Sequence, residues 1–499
     1  MSVNFGTSPC PQQIVSTSSD GFPGVSSGVD ENSNSLFAAA HFPTATRGHS
    51  QPHFWERDMK VGLINFNRRG VAEPGVPPVP PIGLEYLADD LEAAGHEVDL
   101  LDLCFVPTDD RRHAIGTFVA SKDFVGVTFR NMGTDCLLLT EEQFYVPELK
   151  KVVQEIRAAT KVPIVLGGQG YSIFPEKTLQ FVDADFGIRG PGEFAFVDLL
   201  SRYTQLSRGS VLSGAANTNI THKRSLINYR EYLNNGGSVA IQTRNGCPFP
   251  CGFCIESNKK LYLRNVKCIV DELRRLKTLG ITFLFFADAE FNNHIGHAEA
   301  VCDAIIAADL DLEWSCYLNT IPITLRLARK LKAAGCVQPC VSVVSGNESV
   351  LKAFGTNFTT DHIRKAADAL HQAGIEFNVD VLVGGPGDSA ASVRDTYQLM
   401  EEIEPTLVGA NLGIRLFPAT PFGNAVIAGK FDVAGKLYGN VNDNPDFYRP
   451  IFYVSDMGAG ESFMEICSSD PRYKLFGYDG FGGVNYKLSN PETREALCI

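Results

Sequence analysis

Strands alternating with helices through two successive stretches predict an α/β protein: a doubly wound, Rossmann-like N-terminal unit followed by a partial (β/α)6 barrel. Three observations carry that reading. Short apolar runs recur at 60–66, 97–103, 123–129 and 162–168, with amphipathic helical segments at 82–96 and 145–160. A second series of runs begins at 238–244 and continues at 281–288, 312–318, 340–345, 377–384 and 408–417. Its helical segments at 268–280, 323–335 and 360–374 each end on a glycine, which suits the residue just past a helix C-terminus. Parallel sheets of this kind gather their ligand loops beyond the carboxyl ends of the strands. For the first unit those loops are 67–81, 130–135, 167–172 and 189–193.

The boundaries follow from composition. Residues 1–57 are rich in Ser, Gly, Pro and Asn and read as a disordered extension. The first unit spans 58–205, a polar linker 206–236 and the barrel 237–425. Residues 426–499 read as a substrate-capping region in which the strand–helix pattern decays into an aromatic, Gly-rich tail.

The formal net charge of the 499 residues is −13, and there is no long basic run, which argues against a nucleic-acid partner. No apolar stretch approaches the roughly 20 residues needed to span a bilayer. The N-terminus lacks a basic start followed by an apolar core, so no secretory signal is expected. A cytoplasmic protein without membrane attachment is expected, with most of its 13 cysteines acting as small buried hydrophobes.

Three cysteines are spaced too closely for that role. In NGCPFPCGFCIES, Cys247, Cys251 and Cys254 form Cys-x3-Cys-x2-Cys directly after the first barrel strand. Thiolates are the usual ligands of iron–sulfur cubanes, and three of them leave one iron open. A zinc site would need a fourth ligand, and no nearby Cys or His stands at a usual offset.

The motif, its position and the aromatic Phe253 before the last cysteine resemble the radical S-adenosylmethionine superfamily. The resemblance implies a [4Fe-4S] cluster whose open iron chelates S-adenosylmethionine, with an external electron donor such as flavodoxin or ferredoxin. Later segments match less specifically. FFADAEF makes Asp288 and Glu290 candidate cofactor contacts, and SGNES does the same for Ser345 and Glu348. VGGPGDS and FPATP resemble fifth- and sixth-strand turns of that family. Glu272, on the helix after the cysteine loop, is a candidate for approaching the open iron, its alternative being a surface carboxylate facing Arg274 or Arg275.

Upstream, PPIGLEYLADDLEAAGHEVDLLDL and ADFGIRGPGE resemble the cobalamin-binding domain that precedes the barrel in one large class of these enzymes. Members of that class are mostly methyltransferases acting on unactivated carbon. No Asp-x-His-x2-Gly motif offers a lower axial ligand, and His96 and His113 do not fit one. Either cobalamin is bound with that face unligated or the domain lacks it. Arg69 is a candidate cation over that face. Gly167, Gly168 and Gly190 are expected to let a bulky ring or its tail approach, and Arg130 is a further candidate contact. The resulting expectation is a cobalamin-dependent methyltransferase acting on a small molecule or peptide natural product, with tryptophan C2 as one assignment. A radical cyclisation, rearrangement or oxidation is the enzymatic alternative, and a non-catalytic sensor or scaffold the other.

Overall fold

The computed structural model describes residues 58–66, 78–139, 144–429 and 435–478. The 1–57 extension, the loop carrying Arg69, and residues 479–499 lie outside the described residues.

In the first unit, β1 (Lys60–Phe66), β2 (Glu97–Asp102), β3 (Phe124–Phe129), β4 (Ile164–Gly167), β5 (Phe186–Arg189) and β6 (Ser210–Ser213) form one parallel sheet, ordered β2-β1-β3-β4-β5-β6. Every β1 residue after Lys60 is buried, as a strand covered on both faces requires. One face packs α1 (Ile82–Ala93) and α5 (Glu193–Arg202), which contribute Leu84, Leu91, Phe196 and Leu199. The other packs α2 (Arg111–Val119), α3 (Val146–Ala159) and α4 (Pro175–Val182). The 206–236 stretch is more than a linker. It supplies β6, paired with β5, and the short helix α6 (Tyr229–Asn234). A four-residue edge strand, Ser-Val-Leu-Ser, needs only one neighbour and leaves little hydrophobic signal.

The second unit begins with β7 (Val239–Ile241) and a short antiparallel ribbon of β8 (Arg244–Asn245) and β9 (Tyr262–Leu263). Then come α7 (Val266–Thr278), β10 (Phe283–Phe286), α8 (Ile295–Ala308), β11 (Glu313–Asn319) and α9 (Leu325–Ala333). The series continues through β12 (Cys340–Val344), α10 (Glu348–Phe354), α11 (Thr360–Gln372), β13 (Asn378–Val383), α12 (Ala390–Ile403) and β14 (Leu407–Leu412). β7 and β10 to β14 are the six parallel strands of the partial barrel, in sequential order.

After 425 the strand–helix pattern does not end. Past β15 (Ile414–Arg415) and α13 (Pro421–Ile427), the tail supplies β16 (Lys436–Gly439), β17 (Ile451–Val454), α14 (Met457–Ser469) and β18 (Tyr473–Leu475). β18 pairs parallel with β14 as a seventh strand, while β15, β17 and β16 form a separate antiparallel sheet. Strands of three or four residues among Asn, Asp and Gly are too brief to read by periodicity. The tail also reaches the first unit: Tyr448 packs edge-on against Phe144 and Phe174, its hydroxyl 3.1 Å from Thr178 Oγ1.

A buried charged seam joins the units. Glu85 and Tyr86 of α1, Arg224 of the connecting stretch, Arg264 after β9 and Glu272 of α7 are all at most 5% exposed. Arg264 Nη2 donates to Glu272 Oε2 at 2.6 Å, and Tyr86 Oη donates to Glu272 Oε1 at 3.1 Å. Arg224 lies 3.2 Å from both Glu85 and Glu272, and its Nη2 donates to Ala240 O at 2.7 Å.

Candidate functional site

The cysteine loop leaves β8 and returns through β9, so its two ends are held side by side. Inside it, Lys259 N donates to Cys247 O at 2.8 Å, and Asn258 N donates to Phe249 O at 3.0 Å. Gly246 turns the chain into the loop at φ 88°, where a Cβ would lie 2.0 Å from Lys260 O. Only glycine fits there. Phe422 N donates to Gly252 O at 2.9 Å, and Phe253 meets Phe354 edge-on, which anchors the far side to the barrel.

Burial pushes the thiol of Cys251 up to about 11 and that of Cys254 up to about 12, and it raises Cys247 as well. All three are protonated at neutral pH without a metal, so metal binding must displace protons and supply the positive charge that stabilises thiolates. Glu256 N lies 3.4 Å from Cys254 Sγ as a donor. Among the described residues, no three His, Cys, Asp or Glu side chains converge on one point as a mononuclear site requires. A cubane instead takes one thiolate on each of three irons. The donor set fits a three-cysteine cluster.

The loop opens onto a cavity of about 890 Å3 between the carboxyl ends of the two sheets. From the barrel come Cys247, Cys251, Cys254, Asp288 and Glu290; from the first unit come Arg130, Gly167, Gly168 and Gly190. Gly168, at φ 102°, has no room for a side chain: a Cβ would sit 2.8 Å from Phe129 O. A Cβ on Gly167 would meet nothing nearer than 4.0 Å, so this wall is open backbone that a broad planar cofactor can approach. That cradle fits a corrinoid.

Asp288 is only 2% exposed. It accepts from Thr243 N at 2.8 Å, from Arg244 N at 3.2 Å and from Thr243 Oγ1. Its carboxylate therefore fixes the backbone leading into the cysteine loop. Glu290 accepts from Ser342 Oγ at 2.8 Å on the cavity wall.

The remaining candidates stand elsewhere. Ser345 is buried against Thr396, with its Oγ accepting from Asn347 N, and does not line the cavity. Glu348 is exposed and accepts from Thr360 N and Oγ1 at the start of α11. The turn from β12 into α10 carries both residues away from the strand end. Glu272 neither lines the cavity nor faces Arg274 or Arg275, because it belongs to the seam. Its spacing from Ile269 and Leu276 already put it on the buried stripe of α7. Arg69 lies outside the described residues. Sequence reading missed Arg415, whose signal was a lone cation within the apolar run of the sixth barrel strand.

Comparison with known proteins agrees with this geometry. Residues 241–400 match the Radical SAM superfamily, and residues 69–200 match the B12 binding domain. The chain is 27% identical over 447 residues to tryptophan 2-C-methyltransferase of Streptomyces laurentii, covering 72% of this chain and 73% of the relative. It is 23% identical over 434 residues to an anaerobic magnesium-protoporphyrin IX monomethyl ester cyclase of Rubrivivax gelatinosus, covering 79% and 73%. The solved structure of the radical S-adenosylmethionine methyltransferase TsrM from Kitasatospora setae, with tryptophan substrate and a SAM analog bound, superposes with a TM-score of 0.77 at 25% identity. It covers 88% of this chain and 95% of that one. With both family domains matched in sequence order and their sheets facing one cavity, the chain belongs to the cobalamin-dependent radical S-adenosylmethionine enzymes.

Proposed function

We propose that this enzyme transfers a methyl group to a carbon of a small aromatic substrate, with C2 of tryptophan as the specific assignment. The observation that carries this is the shared cavity of about 890 Å3 onto which both the cysteine loop and the glycine-built wall open. When bound, the cluster, S-adenosylmethionine and cobalamin supply the electron-transfer and methyl-transfer chemistry. Cys247, Cys251 and Cys254 hold the cluster, Asp288 sets the loop that presents them, and Gly167, Gly168 and Gly190 leave room for the corrin. The likeness to tryptophan 2-C-methyltransferase and to TsrM with tryptophan bound supports the substrate assignment.

A radical route needs an external one-electron donor such as ferredoxin or flavodoxin. Among the described residues no helix is long and apolar enough to cross a membrane. We assign the enzyme to the cytoplasm, a reducing compartment in which the thiols of Cys247, Cys251 and Cys254 stay available to ligate a cluster.

The test is anaerobic incubation of the reconstituted enzyme with methyl-labelled S-adenosylmethionine, reductant and L-tryptophan. Labelled 2-methyltryptophan together with S-adenosylhomocysteine is the expected result. Formation of 5′-deoxyadenosine with no methylated product would favour a radical cyclisation or oxidation, the reading that the likeness to the cyclase supports.

A further inference from the structure

Beside the main cavity lies a second one of about 280 Å3. Arg130, Gln169, Phe253, Cys254, Leu382 and Asn411 line both, so the two adjoin at the cysteine loop. Arg415, on β15 just past the sixth barrel strand, lines the second cavity and is only 6% exposed. Its Nη1 reaches Thr134 O at 3.4 Å, and its Nε is buried with no hydrogen-bond partner among the described residues. The rings of Phe417 and Phe452 lie 5.0 and 5.8 Å from its Cζ and give partial compensation through their faces. Burial lowers its pKa to about 10, which still leaves it charged at neutral pH, and Asp135 on the cavity lining partly offsets that effect.

Buried charges are normally paired, because the low-dielectric interior penalises a lone one. An under-partnered guanidinium beside an open cavity marks a position where a ligand supplies the countercharge. Its planar fork suits a carboxylate. The same cavity carries Asp135 and Asn411, which suit an ammonium group. We propose that Arg415 receives the α-carboxylate of the substrate amino acid, with Asp135 and Asn411 facing its ammonium and the side chain entering the larger cavity. This rests on the methyl-acceptor reading above and narrows it to a free amino acid.

The test is calorimetric binding of L-tryptophan and of tryptamine, which lacks the carboxylate, to the cofactor-loaded enzyme, with methylation of each followed in parallel. Wild type should bind tryptophan about ten- to a hundredfold more tightly than tryptamine. Arg415→Met should erase that preference by weakening tryptophan alone, with cluster and corrinoid absorption unchanged, and Arg415→Lys should restore part of it. If the Met variant loses its cofactor bands, Arg415→Gln decides the matter in its place. A preference that persists without the guanidinium overturns the proposal. So does a wild type that binds the two equally; methylation of tryptophan would then leave the broader substrate reading standing. If wild type methylates neither compound, the substrate reading fails and this assignment fails with it.

Discussion

Arg224 and Arg264 at the seam and Arg415 beside the second cavity are all at most 6% exposed, and each has a buried guanidinium nitrogen without a hydrogen bond among the described residues, yet they differ in how their charge is paired. The seam arginines sit among Glu85, Glu272, Tyr86 and backbone carbonyls, so their charge is compensated from within the chain. Arg415 has aromatic faces, one long contact to a carbonyl, the carboxylate of Asp135 across the cavity lining as only partial compensation, and a void in front of it. A buried cation thus serves architecture where the chain answers it and recognition where the chain leaves space. Burial alone does not tell the two apart; the neighbours do.

The strongest test of that contrast is on the cavity side. Cys254→Ala should abolish the cluster and all turnover, with iron after anaerobic reconstitution falling from about four atoms per chain to well below half of that. The metal-free protein should still melt close to the wild-type temperature, because the seam is untouched. A variant that keeps its iron and its activity would remove the cluster from the mechanism.

Next in size is a change at the seam. Glu272→Ala leaves Arg224 and Arg264 without their shared carboxylate and should destabilise the protein by about 3–5 kcal/mol in urea unfolding. Cluster absorption in the surviving folded fraction should persist. An unchanged midpoint would dissolve the distinction between architectural and recognition charges.

The smallest effect concerns Glu193, which lines the main cavity yet feels Asp90 of α1 and Arg264 of the seam. Burial raises its pKa to about 7 from an ordinary 4.5. A carboxyl raised on folding stabilises the native state fully below pH 4.5, and that contribution is lost as pH climbs through about 7. Glu193→Gln, which mimics the protonated form, should match wild type near pH 4.5. It should exceed wild type by up to about 3 kcal/mol at pH 8 in urea unfolding of cofactor-free protein. Parallel pH profiles for the two proteins would show that Glu193 titrates normally.

The sites differ in how far they could be read beforehand. The cysteine trio stood out because its side chains recur at short sequence spacing, and the structure places it on one cavity wall with Asp288 and Glu290 of a single strand-end segment. Ser345 and Glu348 were misplaced because the short turn 345–347 between β12 and α10 decides whether a side chain faces the cavity or the next helix. Glu272 carried a readable sign in its helical spacing, but its partners, Arg224 and Tyr86, are 48 and 186 residues away in sequence.

From the sequence alone came the two parallel α/β units, their order and the clustering of three thiols in one loop, because periodic burial and short-range spacing are local properties. Only the tertiary structure decided that the tail adds a seventh strand, that Glu272 locks a seam and that Arg415 faces a void. Each of those depends on which distant segments meet and on what space they leave between them, and no local pattern records that.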